Sequence, residues 1–389
     1  MAKAVLITIA ACSQDGRATK RKDEPMPILN RAAEMHDEIT AWRRHLHQNP
    51  ELLFDVHETA AFVAQKLKEF GCDEVVTGLG RTGVVGLVRG RRGDGPTIGL
   101  RADMDALPIA EQNDVVYKST VPGKMHACGH DAHMAILLGA ARLLNGQKSH
   151  LSGNVKLIFQ PAEETVGGAK PMIAAGVLDS PKVDAAFGLH VAPEIPVGQI
   201  GWRYGQMNAA SDTILITVKG NKAHGASPHT GTDAVVIAAH VITALQTIVS
   251  RKISPVDTGV VTVGRFQAGT GFNIIANEAV LEGTIRYFKN AVKKKMKEEL
   301  YRIVKGVCLA NDATYKIDYT DGYPPVINHK DEAELIFEAA KIVPGVNSVL
   351  EAPLQMGAED FSYYLHDKPG AFFFTGAGKE GKNHPHHHP

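Results

Sequence analysis

Apolar residues at Ile28, Ala32, Met35, Ile39, Trp42 and Leu46 alternate spacings of four and three, which predicts an amphipathic helix. Asn49-Pro50 ends it, because a residue before proline is driven out of the α region. A second helix is expected over about 57–70, closed by Gly71. Short apolar runs predict strands at about 74–77, 83–89 and 97–101, a helix over 132–144, and strands at 155–159 and 183–189. Strands alternating with helices argue for an α/β domain with a mostly parallel sheet.

From about residue 204 the pattern changes. Residues 212–219 alternate as a half-buried strand, followed by a long helix over 233–250, strands at 259–266 and 279–288, a helix over 290–309 and a strand at 314–319. That order, β-α-β-β-α-β, is the ferredoxin-like arrangement, an α+β domain with its own sheet. The predicted organisation is therefore an extension over 1–25, a first domain split between 26–203 and 320–389, and an inserted domain at 204–319. The chain re-enters the larger domain through a helix over 331–341.

Composition narrows the classes. Hydrophobic residues make up 44% and charged residues 22%, ordinary for a globular protein. Lys+Arg and Asp+Glu both total 42, so no charge excess favours nucleic acid or an anionic membrane as a partner. No apolar run in the sequence approaches the ~20 residues that span a bilayer. Cys12, Cys72, Cys128 and Cys308 are too few for a disulfide scaffold and fit reduced thiols in the cytoplasm. Residues 4–12 (AVLITIAAC) follow Lys3 and end in a faint lipoprotein-type pattern, which leaves export or lipid anchoring as a minor alternative. The preferred reading starts the protein at Met26.

The chemistry gathers at predicted strand ends, where open parallel sheets bind ligands. The strand at 97–101 runs into Ala102–Asp105, the strand at 155–159 into Gln160-Pro161-Ala162-Glu163-Glu164, and the strand at 183–189 into His190. Between the first two lies MHACGHDAH at 125–133, with Cys128 and His130 two residues apart. Thiolate plus imidazole is a first-row transition-metal pairing, with Zn²⁺, Mn²⁺, Co²⁺ and Ni²⁺ as candidates. Of the two acids, one can bind metal while the other serves as general base, the division of labour metal hydrolases need. A lone cysteine is usually a small buried hydrophobe, a lone strand-end His a satisfied core residue, and an acid pair a solvated loop. Their convergence argues against those bland readings. Cys128, His130, Glu164, His190 and one histidine of the terminal NHPHHHP make five ligands, whereas a single catalytic zinc takes about three, so two ions are expected.

Taken together, the chain resembles the M20 metallopeptidase family, in its amidohydrolase branch of hippurate hydrolases, N-acyl-amino-acid amidohydrolases and plant auxin-conjugate hydrolases. The segments that carry the resemblance are RRHLHQNPEL (43–52), LRADMDALPI (100–109), MHACGHDAHMA (125–135), FQPAEE (159–164) and GLHV (188–191). Beyond residue 204 they are GNKAHGASPHTGTDA (220–234), NIIANEAVLEGTIR (273–286) and MGAEDFSYY (356–364).

The resemblance implies a di-metal catalytic domain whose inserted lid dimerises, giving a homodimer or homotetramer. It implies that Cys128 bridges the metals, that His130, Glu164, His190 and His387 (with His386 as the fallback) complete the ligands, and that Glu163 is the general base. Asp103 would orient a ligand from behind. His224 of the lid would polarise the scissile carbonyl in the other subunit, and Asn273 and Arg286 would hold the substrate's α-carboxylate. Family members continue for roughly one helix beyond this terminal histidine, so the chain reads as cut short.

The implied activity is hydrolysis of an N-acyl or N-aroyl amino acid to a carboxylate and a free amino acid. A dipeptidase or carboxypeptidase of the same fold is the close alternative. From other classes come a thiol hydrolase using Cys128 and a non-catalytic binder of acylated ligands.

Overall fold

The computed structural model describes residues 27–343, 345–379 and 384–389. The extension at 1–25, including the apolar stretch 4–12, lies outside the described residues. The strands of the two larger sheets, in chain order, are β1 (Glu74–Leu79), β2 (Gly83–Arg89), β3 (Thr97–Asp103), β4 (Asn154–Gln160), β5 (Ala185–Pro196), β6 (Gln199–Trp202), β7 (Ala210–Lys219), β8 (Gly259–Ala268), β9 (Glu278–Tyr287), β10 (Thr314–Tyr323), β11 (Ser348–Glu351) and β12 (Gly370–Gly378).

Two compact units divide the chain. One takes the residues up to Met207, then Ile327–Pro353 and Asp360–Pro389; the other takes Asn208–Val326 and Leu354–Glu359. The second unit is longer than the expected 204–319, because β10 runs on to Tyr323 and the Val326 N–H closes on Asn208 O.

The first unit is mixed α/β around an eight-stranded sheet ordered β1-β2-β4-β3-β5-β12-β6-β11. Its centre is parallel: β4, β3, β5 and β12 run side by side in one direction, with antiparallel pairings at β1/β2, β2/β4 and β12/β6. Strands buried on both faces read as unbroken apolar runs, and β2 (GVVGLVR) is buried at its first six positions. The helix His130–Asn145 buries Met134, Ile136, Leu137, Leu138 and Leu144 in the same core.

Two expectations need correcting here. The first amphipathic helix is two, Pro27–Glu34 and His36–Gln48, broken at Met35, although Ile39, Trp42 and Leu46 lie on the buried stripe as the spacing predicts. Strand β12 (GAFFFTGAG) was not expected at all, yet it is the fourth strand of the parallel centre.

One polar residue inside this core has an unusual solution. Lys156 on β4 is buried, and its Nζ donates to three backbone carbonyls, Val177 O at 2.9 Å, Asp179 O at 2.6 Å and Pro181 O at 2.9 Å.

The second unit has a four-stranded antiparallel sheet ordered β8-β9-β7-β10. Helices Ala234–Thr247 and Asn290–Leu309 pack Ile237, Val241, Leu245, Met296, Leu300 and Val304 into one core with buried residues of β7 and β9. Asp233 starts the first of these by accepting from the Val235 and Val236 N–H groups. Contrary to the sequence expectation, the helical stretch Ala234–Lys252 is long and apolar enough to cross a membrane. Its stripe Ile237, Ala238, Val241, Leu245 and Ile248 is spent on this core.

Candidate metal centre

Three parallel strands deliver the site, two at their carboxyl ends and β5 from its middle. β5 was expected to end at 189 but runs on to Pro196, and only its pairing with β3 stops at Gly188. β3 ends in Asp103, β4 runs into Gln160 and the Glu163-Glu164 turn, and β5 carries His190. Cys128 and His130 enter from the start of the helix His130–Asn145, across Gly129 at φ 92°. A side chain there would bring a Cβ to 2.4 Å from Val191 Cγ2, so glycine alone lets this turn lie against β5.

The donors converge. Cys128, His130 and His190 present ligand atoms within 4.8 Å of one another, and so do Cys128, Glu164 and His387, so the two triads share Cys128. Cys128 Sγ lies 3.4 Å from His190 Nε2, and His387 Nε2 lies 3.5 Å from Glu164 Oε1. His130 Nε2 faces Glu164 Oε1 at 3.9 Å. Both atoms are buried without a hydrogen-bond partner among the described residues. Native proteins rarely leave such groups bare, and a divalent cation beside each would satisfy it. Divalent ions therefore fit these residues.

Each imidazole is aimed by its other nitrogen. His130 Nδ1 donates to Asp105 O at 2.8 Å and His190 Nδ1 to Val191 O at 2.7 Å, leaving both Nε2 atoms for the site. His387 is placed by its backbone N–H on Ala127 O at 3.1 Å, while His386 stacks against His190 with ring centroids 5.0 Å apart.

Electrostatics point the same way. Burial, and then His133, hold His190 well below 6.5, in the neutral form that binds metal. For His130 burial lowers the value too, yet the charge of Asp103 opposes it most strongly and the ring stays well above 6.5, so this position favours a positive charge. Burial pushes the Cys128 thiol up to about 12. A thiol in that state is no activated nucleophile, which weighs against the thiol-hydrolase alternative.

Behind the donors lies a buried polar network that the sequence did not reveal. Arg101 donates from Nη1 to Asp103 Oδ2 at 2.7 Å, from Nη2 to Asp360 Oδ1 at 2.7 Å and from Nε to Gln160 Oε1 at 3.0 Å. Asp103 accepts in turn from His133 Nδ1 at 2.6 Å, and His133 Nε2 accepts the Val191 N–H at 2.9 Å. Asp103 thus reaches the donors through His133 and the residue next to His190. It lies 3.7 Å from His130 Nε2 without a hydrogen bond to it. Asp131, beside His130, is held by Arg43 Nε at 2.8 Å and His47 Nδ1 at 2.7 Å.

The acid pair sits in an unusual turn. Ala162 and Thr165, flanking Glu163-Glu164, have φ of 56° and 72°. Left-handed backbone at a non-glycine residue costs about 1–3 kcal/mol and persists where surrounding contacts impose it. Glu163 is buried and shares a donor cluster with His130 and Glu164.

The remaining expected residues belong to the second unit. Exposed His224 pairs in register with Ile274, and the Gly225 N–H donates to Asn273 O at 2.8 Å, which brings His224 and Asn273 together. Arg286 is half-buried on β9, opposite Ser211 of β7.

Imidazoles, carboxylates and a thiol, converging at one rim of the parallel strands around bare buried donors, define a metal-dependent hydrolase of α/β fold. Residues 99–389 match Peptidase family M20/M25/M40, and the chain belongs to that family. It is 42% identical over 366 residues to thermostable carboxypeptidase 2 of Saccharolobus solfataricus, across 92% of this chain and 91% of that one. It is also 42% identical over 299 residues to the N-acyl-L-amino acid amidohydrolase of Geobacillus stearothermophilus, across 77% and 80%. Among solved structures, the YxeP protein of Bacillus subtilis, a dinuclear metal-binding peptidase of the M20 family, superposes with a TM-score of 0.78 at 35% identity, covering 90% of this chain and 92% of that one.

Proposed function

We propose that this M20 enzyme hydrolyses the amide bond of N-acyl or N-aroyl amino acids, with two divalent ions held by Cys128 as the shared ligand, His130 and His190 on one side and Glu164 and His387 on the other. The observation that carries the reading is the pair of donor triads meeting at one thiol. Bound there, the ions supply Lewis acidity and lower the pKa of water. Glu163 takes the proton from the attacking water and delivers it to the leaving amide nitrogen, a task worth about 10²–10⁴-fold.

We read the second unit as a ferredoxin-like lid that pairs two copies of the chain. From it His224 polarises the scissile carbonyl in the partner's site, while Asn273 and Arg286 hold the substrate's carboxylate. Exposed Val235, Val236 and Val249 on its apolar helix, and Phe266 on edge strand β8, support a covered face. Free Cys72, Cys128 and Cys308 suit a cytoplasmic location.

The test is Glu163→Gln assayed on hippurate, N-acetyl amino acids, indole-acetyl conjugates and dipeptides with Mn²⁺, Co²⁺ or Zn²⁺. The variant should keep its metal and lose at least about 10²-fold in kcat; activity like that of the unmodified enzyme refutes the mechanism. Peptidase action is the second reading, because a relative named for carboxypeptidase and one named for N-acyl hydrolysis are both 42% identical to this chain over the lengths matched. Cleavage of dipeptides alone would establish it.

A further inference from the structure

The two acids of the site are neighbours in sequence, and the reading above, on which this inference rests, gives them different tasks. Something must hold them in fixed and different directions. The carboxylate of Asp105 accepts the Glu163 N–H on Oδ1 at 2.9 Å and the Glu164 N–H on Oδ2 at 3.1 Å, and the carbonyl of the same residue accepts His130 Nδ1 at 2.8 Å. Asp105 is 1% exposed, so no water competes for these bonds.

We infer that Asp105 is the positioning residue of this centre: its carboxylate clamps both peptide N–H groups of the Glu163-Glu164 turn, and its carbonyl sets the imidazole of His130.

The physical need is visible in the backbone. Left-handed residues lie on both sides of the pair, Ala162 at 56° and Thr165 at 72°. An L-residue there relaxes toward negative φ if released, and such a rotation swings the following side chains. Two N–H groups bound to one rigid carboxylate fix the peptide planes on either side of Glu163 and so the directions of both side chains. Asparagine has nearly the shape of aspartate but one acceptor oxygen, so it can satisfy one N–H and sets its own NH₂ against the other. Tolerances for such constellations are roughly 0.5 Å, well within what loss of one clamp bond allows.

The experiment compares unmodified enzyme, Asp105→Asn, Ala162→Gly and the double variant, each loaded with two equivalents of Co²⁺. The clamp predicts that Asp105→Asn loses about 10²-fold or more in kcat with KM within about threefold, and that its visible Co²⁺ absorption changes because Glu164 and His130 are re-aimed. Glycine at 162 accepts positive φ without strain, so the double variant should recover at least about tenfold of the lost kcat.

The inference is overturned if kcat of Asp105→Asn stays within about threefold of the unmodified enzyme. It is equally overturned if the Co²⁺ spectrum is unchanged and only the melting temperature falls, which is the signature of a merely structural residue. Should the single variant not fold, the double variant is measured against Ala162→Gly: a kcat deficit of about tenfold or more at constant KM supports the clamp, and a smaller one overturns it. Loss of metal-dependent amide hydrolysis by the unmodified enzyme itself would instead sink the functional reading, and the spectra would still report on the clamp.

Discussion

The buried guanidinium of Arg101 makes a prediction whose size follows from its surroundings. It is 4% exposed and bonds two fully buried carboxylates, Asp103 and Asp360, while Gln160 Nε2 and the Ala169 N–H complete Asp360. Arg101→Met keeps an unbranched apolar stem but ends short of the guanidinium, and so removes every donor. Breaking a buried ion pair from one side costs about 3–5 kcal/mol, because the abandoned charge stays desolvated. At about 2–4 °C per kcal/mol for a unit of this size, the melting temperature should fall by about 6–20 °C near neutral pH.

The loss should depend on pH in a set direction. Burial already raises the Asp360 carboxyl above its ordinary 3.8, against the pull of Arg101 and the hydrogen bond from Gln160. Without Arg101 it rises further, so folded Asp360 keeps a proton that the unfolded chain has released. Stability of the variant is then retained at low pH and falls as pH rises from the unfolded carboxylate pKa through the folded value. Thermal and urea denaturation at about pH 5 and about pH 8 measure this. A melting temperature at about pH 8 within about 2 °C of the unmodified protein would refute the reasoning, as would a deficit that grows on acidification.

His47 also lies above its ordinary value: burial lowers it, but the hydrogen bond and charge of Asp131 more than compensate and hold it above 6.5. Its contribution, about 1.5–3 kcal/mol for a bond to a charged group, is complete below about pH 6.5 and is lost as pH rises through the folded value. The stability gap between the unmodified protein and His47→Gln should therefore shrink from about pH 6 to about pH 9, and a constant gap contradicts it. Lys156→Met strips three carbonyls of their donor while removing a buried charge, for a net loss of about 2–3 kcal/mol by denaturation. Its kcat per folded molecule should not change, because Lys156 lies mid-strand on β4, away from the strand end that bears the acids.

The sequence displayed the donors because ligation is written in residue type. A Cys and a His two apart, an acid pair and a His after an apolar run carry their chemistry wherever the chain puts them, and the fold had only to bring them to one rim. The period of burial was equally legible. Strand β7 alternates buried and less buried positions, and β2 is a continuous apolar run, so their faces follow from pattern alone. Strand β12 escaped for a reason of topology. GAFFFTGAG is a short apolar run beyond the second unit, and nothing local says that it slots between β5 and β6 to complete the parallel centre.

Asp105 escaped for a different reason. It stands two residues from Asp103 inside LRADMDALPI, where an acid reads as another candidate donor to a metal. Its oxygens turn instead to two backbone N–H groups 58 and 59 residues further along. That task leaves no trace in the identity of its partners, since every non-proline residue carries the same N–H. What could have exposed it is conformational rather than chemical: a turn that requires left-handed backbone at alanine and threonine needs an external acceptor to hold it. The residues that bind are thus readable one by one, whereas the residues that aim them become readable only when the backbone they restrain is known.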